Sequence, residues 1–290
     1  MGASDPRRDA AGVWDITTPS RPGLLPGVDM AGFRARTADP VDLSVVPYPA
    51  VTVALDLGGG PLAVEDGGGR HEGGVVVGLA PSGVRGRGRG IECLQLRLAP
   101  PVAHAVLGGA AELGGAVVPL GDVWGREAER LQERLRAAGS WRERFEIADA
   151  ALARRYEAGR AVDPEVAFVW GRLVAHRGGV RVERLAAEVG WSRQRLWSRF
   201  RSQIGLTPKR AARLVRFDDA AHRLAAGLAA GRVAAETGYA DQSHLHRDVR
   251  AFAGVTPTAV AGVTPTAVAG AAWLAVDTIA WAAPAYLAKA

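Results

Sequence analysis

Hydrophobic and polar positions change rhythm twice along this chain. From about Val45 to Leu98, short apolar runs at Val51 to Leu57, Leu62 to Glu65, Val75 to Leu79 and Ile91 to Leu98 are broken by GGG, DGGG and GRGRG. In the last run Leu94, Leu96 and Leu98 alternate with Gln95 and Arg97, the period of a half-buried strand. Short strands between glycine turns predict a small β barrel or sandwich. From about Asp122 to Arg160 the period becomes helical. Trp124, Ala128, Leu131 and Leu135 share one face, Phe145, Ala148, Leu152 and Tyr156 share another, and Gly139 and Ser140 separate the two helices. After Asp163 and Pro164, expected as helix cap and first helical residue, the rest reads as helices with short breaks. The predicted class is therefore α+β. A mostly β barrel-like or sandwich-like domain at 1–120 is followed by a helical connector at 121–163, an all-α domain at 164–260 and an apolar tail at 261–290.

The all-α segment contains a diverged repeat with an offset of 49 residues: Gly205-Leu-Thr-Pro208 returns as Gly254-Val-Thr-Pro257, and Leu196, Ser198 and Phe200 map onto Leu245, Arg247 and Val249. Each copy reads as helix, tight turn, helix. In the first, Val182 to Val189 shows an apolar face of Val182, Leu185, Ala186 and Val189; Gly190 turns the chain, and Ser192 caps a helix with Leu196, Phe200 and Ile204 inside. In the second, Leu228 to Thr237 ends at Gly238, and Asp241 caps a helix with Leu245, Val249 and Phe252 inside. Between them Thr207 and Pro208 begin a helix running to about Ala226, ending near Gly227 and spanning about 28 Å at about 1.5 Å per residue. Helical hairpins of this form set the second helix in a major groove, and successive grooves on one side of B-DNA lie about 34 Å apart.

Charge sharpens this reading. Residues 1–163 carry a net −2 and residues 164–260 a net +8, within a total of +6. A basic unit beside a neutral one points to a polyanion-binding module attached to something else. With 48% hydrophobic and 23% charged residues the chain is neither disordered nor fibrous. Its single cysteine, Cys93, cannot pair within the chain, which excludes a disulfide scaffold and cysteine-built zinc clusters and fits a reducing compartment. The segment MGASDPRRDAAGVWD is too polar for a signal peptide, and position 6 is proline where a myristoylation signal needs serine or threonine. The apolar stretch from Ala267 to Ala288 is interrupted by Asp277 and Pro284 and is mostly alanine, so no membrane span and a cytoplasmic protein are expected.

The segments LAAEVGWSRQRLWSRFRSQIGLTP and VAAETGYADQSHLHRDVRAFAGVTP, within about Pro164 to Val260, resemble the AraC/XylS-type transcriptional regulators. That resemblance implies a seven-helix domain with two helix-turn-helix units joined by a long helix, binding double-stranded promoter DNA as activator or repressor and acting on RNA polymerase. Carried over by position, the base-facing candidates are Arg193, Gln194, Trp197 and Ser198 in the first reader and Gln242, Ser243, His246 and Arg247 in the second. Ser198 stands where the family commonly has arginine, and Val249 and Ala253 stand where it commonly has aromatics. Arginine suits paired acceptors on guanine and glutamine suits adenine, while Arg201, Lys209, Arg210 and Arg250 are candidates for phosphates. Trp197 has two readings, contact with a thymine methyl or packing on a neighbouring helix.

No enzyme site, cofactor or metal is expected. The glycine runs lack the Gly-Lys-Ser/Thr ending of a phosphate loop, His244 and His246 point to different helix faces, and His71 and His104 stand alone. Arg85, Arg87 and Arg89 are read as a solvated loop, with an acidic effector as the alternative. In the resembling family the N-terminal part senses a small-molecule effector or dimerises, and the Trp124 to Leu135 stripe would suit a homodimer contact or, equally, burial within the chain. No effector-binding residue is assigned. GVTPTAVA at 254–261 recurs unchanged at 262–269, the mark of a recent duplication. Two rival readings are an N-terminal enzyme carrying a DNA-targeting module and a protein-interaction module without specific DNA binding.

Overall fold

The computed structural model describes residues 14–258 apart from 37, 38, 45, 61, 81, 82 and 255. The second octamer copy and the apolar tail expected at 261–290 lie outside the described residues. The N-terminal half holds β1 (Trp14–Thr17), β2 (Val28–Ala35), β3 (Pro40–Ser44), β4 (Val51–Gly58), β5 (Leu62–Asp66), β6 (Gly69–Glu72), β7 (Val75–Val77), β8 (Arg85–Arg89), β9 (Glu92–Leu98) and β10 (Val117–Pro119). They form two open antiparallel sheets, ordered β1-β2-β9-β4-β7-β10 and β3-β8-β5-β6. The sandwich expectation holds, and a closed barrel is corrected to two sheets. Ala31, Phe33, Val75 and Val77 of the larger sheet share one core with Leu62, Val64, Val84 and Ile91.

The other face of the larger sheet, with Met30, Val53, Leu55, Val76, Leu94, Leu96 and Leu98, packs on helices. Strand β9 is central, and its alternate residues Gln95 and Arg97 are buried too, the guanidinium of Arg97 lying 4.0 Å from the Tyr48 ring centroid. Its alternation therefore separates two buried surroundings, where the pattern predicts one wet face. Arg85–Arg89 is likewise a strand, not a loop: Arg85 pairs with Asp42, and Arg87 with Asp42 and Glu65. An arginine-glycine alternation has the period of a strand but no apolar face to reveal it. These exposed ion pairs already answer most of the charge that an acidic effector would seek.

Helices follow: α1 (Pro100–Leu107), a 3-10 turn (Ala110–Leu113), α2 (Leu120–Trp124), α3 (Arg126–Ala137) and α4 (Trp141–Ala158). Gly125, at φ 57° and ψ −141°, divides the single helix expected from Trp124 to Leu135. Trp124, Ala128, Leu131 and Leu135 are all buried within the chain's own core, and the Gln132 amide donates to the Asp56 carbonyl at 3.2 Å. The dimer role considered for that stripe is thereby corrected: its apolar face is already covered. Gly32 is what lets α4 lie on the sheet, since a Cβ there would stand 2.3 Å from the Trp141 ring. Burial pushes the Cys93 thiol up to about 12, which leaves it protonated and unreactive.

The C-terminal half comprises α5 (Pro164–Ala175), α6 (Val182–Glu188), α7 (Arg193–Ile204), α8 (Pro208–Ala225), α9 (Ala230–Glu236) and α10 (Gln242–Ala253). Six of the seven helices that the resemblance implies lie among the described residues, and Pro257 and Thr258 are also helical. Helix α6 ends one residue inside its expected span, and α9 starts two residues and ends one residue inside its own, because apolar periodicity overruns the hydrogen-bonded turns. No helix among the described residues is long and apolar enough to cross a membrane.

Candidate nucleic-acid interface

Both hairpins form as their turn and cap residues dictate. Gly190 and Gly238 adopt φ of 65° and 75°, the left-handed region that glycine enters without strain. Ser192 Oγ accepts from the Arg195 amide, Asp241 Oδ1 from the His244 amide and Thr207 Oγ1 from the Arg210 amide, so α7, α10 and α8 each start on a side-chain cap. Asp163 occupies the cap position of α5 without capping it. Its carboxylate takes a bidentate pair from Arg199 at 2.7 and 2.8 Å, and Gln203 Oε1 accepts from its amide. The hydrogen-bonded guanidinium holds the Asp163 carboxyl below the usual carboxylate range.

The inner faces are closed. Leu196, Phe200 and Ile204 of α7 and Leu245, Val249 and Phe252 of α10 are buried, with Phe200 stacked on Trp170 and Phe252 tilted on Phe217. The outer faces are open. Arg193, Gln194, Trp197 and Ser198 are exposed on α7, as are Gln242, Ser243 and Arg247 on α10, while His246 is half-buried. Trp197 is 46% exposed, with the Arg201 guanidinium 5.2 Å from its ring centroid. Arg201, Lys209, Arg210 and Arg250 are exposed, and none forms an ion pair with an acidic side chain among the described residues. Arg193 reaches Glu183 at 3.7 Å, an exposed pair that is readily exchanged.

The geometry adds a residue that the sequence reading omitted. Arg195 is exposed and lines, with Ser192, Gln194, Ser198 and Arg199, a shallow depression of about 300 Å³ on the outside of α7. Its guanidinium covers Trp191, the residue after the turn glycine, at 4.5 Å. The equivalent repeat position, His244, lies edge-on to Tyr239, which also follows the turn glycine, at 5.1 Å. In both hairpins the reader helix thus folds one side chain back onto the aromatic of its own turn. The repeat register does not reveal this, because Trp191 and Tyr239 are 48 residues apart, one step out of phase with the 49-residue offset. Among the described residues no group of three or more His, Cys, Asp or Glu side chains could hold a metal ion.

The helix-turn-helix domain family matches residues 185–262, which takes in most of α6 and all of α7 to α10. Residues 185–262 thus form a helix-turn-helix domain. Among solved structures, ToxT from Vibrio cholerae is 10% identical over 82% of this chain and 98% of its own, with a TM-score of 0.45. The C-terminal domain of AraT, a response regulator from Geobacillus stearothermophilus, is 18% identical over 34% of this chain and 85% of its own, with a TM-score of 0.33. The AraC-like transcriptional activator CuxR is 16% identical over 72% and 88%, with a TM-score of 0.32. No curated protein sequence matches this one.

Proposed function

We propose that this chain is a sequence-specific, one-component transcription regulator that reads two adjacent major-groove segments of promoter DNA with α7 and α10. The observation that carries the reading is the pair of capped reader helices, buried inside and open and basic outside, joined by one 18-residue helix of about 27 Å. Arg193, Gln194, Trp197 and Ser198 face bases in one segment, Gln242, Ser243, His246 and Arg247 in the other, and Arg201, Lys209, Arg210 and Arg250 neutralise phosphates. Residues 164–260 act as the DNA-binding domain, 121–163 as a connector, and 1–120 as the regulatory domain that takes up an effector or a partner protein. Promoter occupancy, changed by that uptake, sets RNA polymerase activity, and no chemical step enters.

Titration with promoter DNA and with a scrambled duplex at two salt concentrations tests this. The regulator keeps its preference for its own site as salt rises, whereas loss of binding to both duplexes in parallel would leave only ionic attraction. Within that assay Arg247→Ala is expected to cost about 1–3 kcal/mol of specific binding and to relax one base position. Equal losses on every sequence would remove Arg247 from base reading.

A further inference from the structure

The repeat places Arg199 of α7 and Asp248 of α10 at equivalent positions, 49 residues apart. Neither belongs to the base-facing set, and each makes an ion pair to a helix outside its own hairpin. Arg199 holds Asp163 at the start of α5. Asp248 is 3% exposed and accepts from Arg213 on the joining helix α8 at 2.7 Å. The guanidinium of Arg213 also lies 5.7 Å from the Phe252 ring centroid, so it grips α10 at two points one turn apart. The neighbouring Arg216 covers Tyr239 of the second turn at 5.6 Å and donates to the Gly178 carbonyl at 3.0 Å.

A helix packed only by aliphatic side chains can slide or roll, because apolar contacts carry little direction. A charge-assisted hydrogen bond from a fixed neighbour removes that freedom. Asp248 is buried, with the Tyr239 phenol as its further polar neighbour, so the pair is a costly way to gain stability alone. The polarity is inverted between the two copies, cation on the reader in one and anion in the other, so neither reader can satisfy the other's anchor.

We infer that Arg199–Asp163 and Asp248–Arg213 are two separate pins, each fixing the roll of one reader helix and so the base register of one DNA segment. These four are positioning residues. The inference rests on the proposed DNA-reading function and deepens it, by assigning each segment its own support.

The test uses the full-length chain and a duplex selected by it from a random-sequence library, with the α10 segment identified as the one where Arg247→Ala loses preference. Affinity is measured for the intact duplex and for duplexes with either segment scrambled. Asp248→Asn, and separately Arg213→Gln, should lower affinity for the intact duplex at least about tenfold and shrink the penalty for scrambling the α10 segment to within about twofold. Both should leave the penalty for the α7 segment in place. Asp163→Asn should do the reverse, and the Arg213→Gln/Asp248→Asn double variant should be no weaker than the worse single one. Thermal unfolding checks each variant. If Asp248→Asn does not fold, Arg213→Lys takes its place, since that side chain is 43% exposed and keeps its charge. Penalties that both persist, or that fall together, overturn the pins. A wild-type chain that selects no sequence overturns the DNA-reading proposal instead.

Discussion

Replacement of Phe200 by alanine is expected to destabilise the C-terminal unit by about 3–5 kcal/mol, the range for removing a large aromatic from a closed core. Phe200 is fully buried and stacks on Trp170 with ring centroids 6.5 Å apart and planes 28° apart. Trp170 is equally buried, and its indole nitrogen has no hydrogen-bond partner, so packing alone holds it. Losing the phenyl ring opens a void that the short helix α6 and the Ser192-capped helix α7 cannot close without shifting their turn at Gly190. A typical domain has a total stability of about 5–15 kcal/mol, so the first hairpin should lie near its unfolding threshold. Urea denaturation should show a lowered midpoint, and a shift equivalent to less than about 1 kcal/mol would contradict the packing described. Specific DNA binding should fall with it.

A comparably large effect is expected from charge. Changing Arg201, Lys209, Arg210 and Arg250 together to alanine should reduce the slope of log affinity against log salt by about 4, roughly one per phosphate contact. Affinity should drop on all duplexes alike, because phosphates carry no direct sequence information. Arg126, Arg130, Arg134 and Arg136 of α3 are also exposed and provide a control that removes the same charge. The α3 variant should leave the slope within about one of the wild type. Similar slope changes for the two sets would mean that total charge, and not the position of the reader faces, governs binding.

How much could be read in advance differs between the two halves. The hairpins were legible because their signals are local: Gly190 and Gly238 demand a left-handed turn, Ser192, Thr207 and Asp241 cap the next amide, and apolar residues recur every three or four positions. The N-terminal half hides its elements. Strand β8 has arginine where a strand pattern shows a hydrophobe, and α1 begins with Pro100-Pro101 inside a continuous apolar stretch. Strands β1 and β2 rely on pairing with partners far along the chain, as Met30 does with Leu96. The site was legible to the level of exposed faces. Its anchors were not, because the partners of Arg199 and Asp248 lie 36 and 35 residues away.

The central claim is that both readers meet one face of the same duplex a single helical turn apart. Hydroxyl-radical footprinting of the full-length chain on the DNA beside its own gene measures this directly. The account predicts two protected patches on one face with centres about 10 base pairs apart. One patch alone, or two on opposite faces of the duplex, would contradict it.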